Sequence, residues 1–160
     1  MYKIEPETAV KLYSSDMLRA AYTLLGSRED AEDAVQEAFL KLLAKNLSFR
    51  DSEHAKAWLL RVTINISKNM LRYRNAHYGG ELFENIPSDS VWKNRDDSVL
   101  SAVMKLPVKY RSVVFLFYYE EYNTAEIAAI LHCSVSTVTT RLSRARGLLK
   151  TKLEGESKNE

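Results

Sequence analysis

Residues 123–150 read "NTAEIAAILHCSVSTVTTRLSRARGLLK", and how this stretch folds sets the class of the whole chain. Helical spacing turns Ile127, Ala128 and Leu131 to one side of a short helix that Thr124 can cap. The tripeptide "HCS" (132–134) suits a tight turn. Ser134 or Ser136 can cap a second helix, with Val138, Leu142 and Ala145 on its inner side. Ala128 is small, as two closely crossing helices require. This is the layout of a helix-turn-helix. Outward on the second helix lie Ser136, Thr137, Thr139, Thr140, Ser143 and Arg144, with Arg141 and Arg146 flanking. Hydroxyls can bond base edges or phosphates, and arginines can grip phosphates or read guanine in the major groove. No acidic residue occurs from Ala128 to Lys152, and charge of a single sign is the electrostatic footprint of a nucleic-acid surface. The alternative is a short solvated helix pair whose arginines only keep it soluble.

The opposite sign gathers upstream. "SREDAEDAVQEAFLKLL" (27–43) places five acids within residues 28–37, and phosphates would repel them. Ser27 is positioned to cap this helix; Ala31, Val35, Ala38 and Leu42 share one face, while Asp33, Gln36 and Glu37 lie largely elsewhere on its circumference. Glu29 and Asp30 can simply complement the helix N-terminus while the other acids solvate an exposed face. Alternatively, Asp33, Gln36 and Glu37 present an edge to another protein with a basic surface. Composition does not separate the two readings.

The remaining chain continues in helical periods. A length of 160 residues allows one ordinary domain or two small ones. The hydrophobic fraction of 46% supports compact cores, and only 5 Gly and 3 Pro favour helix over sheet. Val10, Tyr13, Met17, Leu18, Ala21 and Leu25 predict a first helix over about 7–25, closed by Gly26. The loop "NLSFRDSEHAKAW" (46–58) leads into a helix over about 53–74 with Trp58, Leu59, Val62, Ile66 and Met70 at apolar positions. Arg61, Asn65, Lys68 and Arg72 follow i, i+4, i+7, i+11 spacing, so a basic polar stripe runs along it. Periodicity fades over 77–97, where a Gly pair, a Pro and several Ser, Asp and Asn suit a linker. Phe83 and Trp92 within it suggest a segment laid along a partner. Helical patterning resumes near Ser98, breaks at Pro107, and resumes through "KYRSVVFLFYYEEY" (109–122), with two more helices over about 124–131 and 136–153. The expected fold class is all-α: two small helical domains, 1–76 and 98–160, joined by a flexible linker at 77–97, with the helix-turn-helix in the second.

The net charge of +2 informs less than its arrangement. Cys133 is the single cysteine, which rules out an intramolecular disulfide and suits a reducing compartment; in a tight turn it reads as a small hydrophobe rather than a redox switch. His54, His77 and His132 are dispersed and lack metal-site spacing. No glycine-rich phosphate loop and no nucleophile–base arrangement is evident. No catalytic residue, metal or cofactor is therefore expected. The N-terminus has no charged-then-apolar leader, and no apolar run is of membrane-spanning length, so the expectation is a cytoplasmic protein without direct membrane insertion.

Three segments share a family resemblance. "REDAEDAVQEAFLKLL" (28–43) resembles the polymerase-core-binding segment of region 2 in bacterial sigma factors. "HAKAWLLRVTINISKNMLRYR" (54–74) resembles the promoter-melting, −10-reading helix that follows it, and "LPVKYRSVVFLFYYEEYNTAEIAAILHCSVSTVTTRLSRARGLL" (106–149) resembles region 4. The three occur in the family's order and span about 9–150. A short linker with no intervening third domain is similar to the extracytoplasmic-function (ECF) subgroup.

The resemblance implies roles by position. Asp33, Gln36 and Glu37 would contact the clamp helices of the large polymerase subunit, with Phe39 or Leu42 as packing support, and the flap region is a further expected contact. The 46–58 loop would read a flipped −10 base, with Phe49 as the aromatic that stacks on it or lines its pocket; Phe49 can instead anchor the loop to the core. Asn69, and Asn65 one turn earlier, would hydrogen-bond that base, or make only local bonds. Arg61, Lys68 and Arg72 would bind the strand's backbone. Trp58 is read as a core residue. In the recognition helix, Thr139, Thr140, Ser143 and Arg144 are the base-edge candidates and Arg141 and Arg146 the phosphate candidates. Three positions depart from the family pattern. Thr139 and Ile64 stand where many members are basic, and Asn69 where many carry Asp, so no relative's promoter sequence transfers. Members are commonly held inactive by an anti-sigma factor, which makes one an expected partner beside core RNA polymerase and promoter DNA. The competing reading is a helix-turn-helix regulator with an N-terminal sensor or dimerisation region.

Overall fold

The computed structural model describes residues 2–78 and 97–158. Among them the regular structure is helical: α1 (Pro6–Leu25), α2 (Arg28–Ala44), α3 (Ser52–Tyr78), α4 (Asp97–Met104), α5 (Val108–Val114), a π-helical turn (Phe115–Tyr119), α6 (Thr124–Leu131) and α7 (Val135–Lys158). α1–α3 form one compact unit and α4–α7 another, in agreement with the expected all-α class. Most of the expected linker, with Phe83 and Trp92, lies outside the described residues.

In the first unit α1 packs on α2 and α3, and α2 on α3. Gly26 closes α1 in the left-handed region, φ 69°, and its N–H bonds the Tyr22 carbonyl at 2.8 Å; glycine adopts this conformation without a Cβ penalty. Ser27 caps α2 by accepting from the Asp30 N–H at 3.2 Å. Ala31, Ala34 and Ala38 are fully buried, so α2 approaches its neighbours on small side chains. Along α3 the core face holds Leu59, Leu60, Ile64, Ile66 and Leu71. Thr63 and Ser67 are buried with them because each hydroxyl donates to the carbonyl one turn back, Leu59 at 2.7 Å and Thr63 at 2.8 Å. The core face is therefore rotated from the expected one, and Trp58, Val62 and Met70 are half-buried at its margin. Val10, expected inward on α1, is exposed.

In the second unit α7 is the spine, packed by α4, α5 and α6. Val103, Leu106, Tyr110, Val114 and Ala145 form one cluster of its core, with Leu149 against it. Arg111 is buried among them at 4% exposure. Its Nε donates to the Leu106 carbonyl at 2.8 Å, and burial lowers its pKa to about 10. The π turn places Phe117 and Tyr118 against Arg146 of α7, while Tyr119 stacks on Phe115. α6 starts on a capping box that sequence reasoning assigned to Thr124: the Asn123 side chain accepts from the Glu126 N–H at 2.8 Å, and Glu126 Oε1 accepts from the Asn123 N–H at 2.9 Å. His132 ends α6 at φ 54°, and Ser134 caps α7 by accepting from the Thr137 N–H at 3.1 Å.

Candidate functional site

The five acids of α2 do not behave alike. The Arg74 guanidinium, from the far end of α3, pairs with the Asp30 carboxylate and also donates to the Leu25 carbonyl at 3.4 Å. Arg28 Nε donates to Glu32 Oε1 at 3.0 Å, one turn along the same helix. Asp33, Gln36 and Glu37 are exposed, and neither acid has an ion pair among the described residues. They share a face with Leu40, at i, i+3, i+4 and i+7. Beside that face runs an apolar groove of about 560 Å³ between α1 and α2, lined chiefly by Val10, Leu18, Val35, Phe39, Leu40 and Leu43. Leu40 and Leu43 are 58% and 59% exposed. Phe39 or Leu42 was the expected packing support. Phe39 lines the groove, whereas Leu42 is buried, and Leu40 and Leu43 were missed because the groove exists only once α1 lies alongside.

On α3, Asn65, Asn69 and Arg72 are exposed, and Arg61 and Lys68 are half-buried; all five lie on the side away from the core face. Arg72 Nη1 donates to Asn69 Oδ1 at 2.9 Å, which fixes the amide and leaves its NH₂ as the group able to donate to a ligand. Phe49 is different. Its ring is 3% exposed, edge-on to His54 at 5.4 Å and tilted on Trp58 at 5.8 Å, and its backbone exchanges two hydrogen bonds with Tyr2 at 2.6 and 2.7 Å. A base platform needs an open face, and here the Phe49 ring is enclosed by its neighbours. The loop's exposed side chains are those of Lys45, Asn46, Arg50 and Asp51, of which Asp51 caps α3 by accepting from the His54 N–H at 2.8 Å.

Along α7, Ser136, Thr139, Thr140, Ser143, Arg144 and Arg146 are exposed; Thr137 and Arg141 are half-buried. The Thr137 hydroxyl is held by Ser134 Oγ at 2.8 Å, and the Thr139 hydroxyl donates to the Val135 carbonyl at 3.0 Å. Thr139 thus keeps acceptor capacity but has committed its proton. Arg146 is engaged as well: its Nε donates to Tyr118 Oη at 2.6 Å. Cys133 is half-buried in the turn, its N–H on the Ala128 carbonyl at 3.0 Å. Among the described residues, no group of His, Cys, Asp or Glu could hold a metal ion, and no helix is long and apolar enough to cross a membrane.

The chain is similar to known proteins over most of its length. Residues 9–77 match sigma-70 region 2 and residues 96–149 match sigma-70 region 4. The chain is 31% identical over 163 residues to the ECF RNA polymerase sigma factor SigW of Bacillus subtilis, covering 90% of this chain and 86% of SigW. It is 33% identical over 153 residues to the RNA polymerase sigma-E factor of Streptomyces coelicolor, covering 94% and 86%. The sigma factor RpoE of Bartonella quintana, solved in complex with the anti-sigma factor NepR, aligns with a TM-score of 0.79 at 25% identity, covering 92% of this chain and 96% of that one. A regulator sharing only a region 4-like domain would not match through residues 9–77. With both regions present in order, the chain belongs to the ECF subgroup of the sigma-70 family, the transcription initiation factors that direct RNA polymerase to promoters.

Proposed function

We propose that the two charge signs divide the work of initiation within this sigma factor, with α2 docking on the polymerase and α3 and α7 holding the promoter. The observation that carries this reading is the fate of the acids on α2. Asp30 and Glu32 are used in intramolecular pairs, whereas Asp33, Gln36 and Glu37 remain exposed beside an apolar groove. A partner filling that groove removes apolar surface from water, and its basic side chains can answer the carboxylates. The clamp helices of the large polymerase subunit are the partner we assign to it, and the flap region is assigned to the C-terminal unit.

Strand opening then falls to α3. Arg61, Lys68 and Arg72 attract the backbone, while Asn65 and the Asn69 NH₂ bond an extruded base, whose capture offsets the cost of unstacking. Phe49 acts indirectly, by fixing the loop that flanks this face. On α7, Thr140, Ser143 and Arg144 read base edges of the −35 element together with Ser136 and Thr139, and Arg141 and Arg146 contact phosphates. Thr137 belongs with the cap. The division into 1–76 for core and −10 functions, 77–97 as tether and 98–160 for the −35 element follows. No bond is made or broken by the protein itself, and it works in the cytoplasm with the polymerase. An anti-sigma factor, of the kind bound to the Bartonella RpoE, would silence it by covering the α1–α2 groove.

The test is reconstitution. Purified protein with core polymerase should give start-site-specific runoff products from a genomic fragment library. Asp33→Arg with Glu37→Arg should weaken core binding roughly 30-fold or more without moving the unfolding temperature. Undiminished core affinity in that folded double variant removes α2 from the interface.

A further inference from the structure

Arg146 is held in an unusual way. Its Nε donates to Tyr118 Oη at 2.6 Å, and its guanidinium carbon lies 5.4 Å from the Phe117 ring centroid and 5.7 Å from that of Tyr118. No carboxylate pairs with it among the described residues. Arg28 and Arg74, by contrast, spend their charge on Glu32 and Asp30. A phenol and two ring faces orient a guanidinium without neutralising it. The pair is also not part of the core: Arg146 is exposed and Tyr118 is 49% exposed. Thr139, Ser143 and Arg146, at i, i+4 and i+7, form one exposed row along α7, so the oriented cation lies in line with two of the side chains assigned to the −35 element.

We propose that Tyr118 is a positioning residue for promoter binding, holding Arg146 as a preformed phosphate clamp at the edge of the −35 contact. This rests on the reading that α7 faces the promoter. The guanidinium has five N–H donors; Tyr118 takes the one on Nε and leaves the four on Nη1 and Nη2, the fork that matches two phosphate oxygens. Tyr118 accepts from Arg146, so its own O–H proton remains to be donated, and the same phosphate is the anion within reach of both. A flexible arginine loses rotamer freedom when it grips DNA. Here that freedom is already restricted in the unbound protein, which is what preorganisation contributes to affinity.

Salt dependence separates this role from a structural one. Holoenzyme assembled from the full chain and core polymerase is titrated against the promoter fragment giving the strongest runoff product, from low to physiological salt. Arg146→Ala should reduce the magnitude of the slope of log K against log[salt] by about 0.9, one phosphate contact, and lower affinity about 10-fold. Tyr118→Phe keeps the ring but removes the acceptor. It should lower affinity several-fold with the slope retained, and should add nothing in an Arg146→Ala background. An unchanged slope in Arg146→Ala, or unchanged affinity in Tyr118→Phe, overturns the clamp. Scrambling the −35 element and Arg144→Ala test the underlying reading: if both leave binding intact, α7 does not face the promoter and the proposal falls with it. If both weaken binding while Arg146→Ala leaves the slope alone, only the clamp is lost.

Discussion

Phe49 is packed into the fold rather than open to solvent. Its ring is enclosed by His54 and Trp58, and its backbone is paired to Tyr2. Phe49→Ala should therefore cost about 3–5 kcal/mol of stability, read as a fall in denaturation midpoint by circular dichroism. Were the ring a base platform, the same variant would unfold normally and fail only in promoter opening, measured by permanganate reactivity of unpaired thymines. The acids of α2 give a second contrast at this scale. Asp30→Asn removes the negative charge that faces Arg74 in a partly exposed site, so a loss of about 1 kcal/mol is expected, with core polymerase affinity retained. The Asp33 and Glu37 reversals should do the opposite. Loss of polymerase affinity in folded Asp30→Asn would mean that the Arg74 pair does not reserve Asp30 for the fold.

The turn between α6 and α7 is the element that sets where α7, and the surface proposed to face the promoter, begins. It is closed by His132 in the left-handed region, φ 54°, where an L side chain is strained by about 1 kcal/mol. Ser134 then starts α7 through the Thr137 N–H. Two substitutions should move the element in opposite directions. His132→Gly relieves the strain and should raise the unfolding temperature by several degrees. Ser134→Ala removes the cap at a cost of about 1 kcal/mol and also frees the Thr137 hydroxyl, which Ser134 Oγ contacts at 2.8 Å. Scanning calorimetry on the intact chain checks both. A stabilising Ser134→Ala would show that the hydroxyl cluster at the head of α7 is not its cap.

At the scale of the whole molecule, the expected behaviour is dependence on a partner. Free protein should bind promoter DNA weakly, with a salt slope of about −0.9 for each phosphate neutralised by the arginines and lysines proposed to contact it. Addition of core polymerase should raise affinity by orders of magnitude, since linking two modest contacts on one scaffold makes the second effectively intramolecular. Electrophoretic mobility shift with and without core enzyme reads this directly, and tight operator-like binding by the free chain would contradict it. Much of the design is legible without coordinates. The helical periods of 7–25, 53–74, 124–131 and 136–153, the break at Pro107, the Gly26 stop and the segregation of acids from arginines are all set by neighbours a few positions apart. That is the range over which periodicity carries information. What escaped it is long-range. The pairing of Arg74 with Asp30 spans 44 residues, and that of Arg146 with Tyr118 spans 28. The Phe49 backbone is paired with that of Tyr2, near the start of the chain, and the groove that Leu40 and Leu43 line is made by α1 lying beside α2. The sequence by itself thus determined the helices, their order and the sign of charge on each. Only the tertiary structure decided which of those charges are spent inside the fold and which are left for a partner, because an ion pair or a groove forms where distant segments meet, and no local period records that meeting.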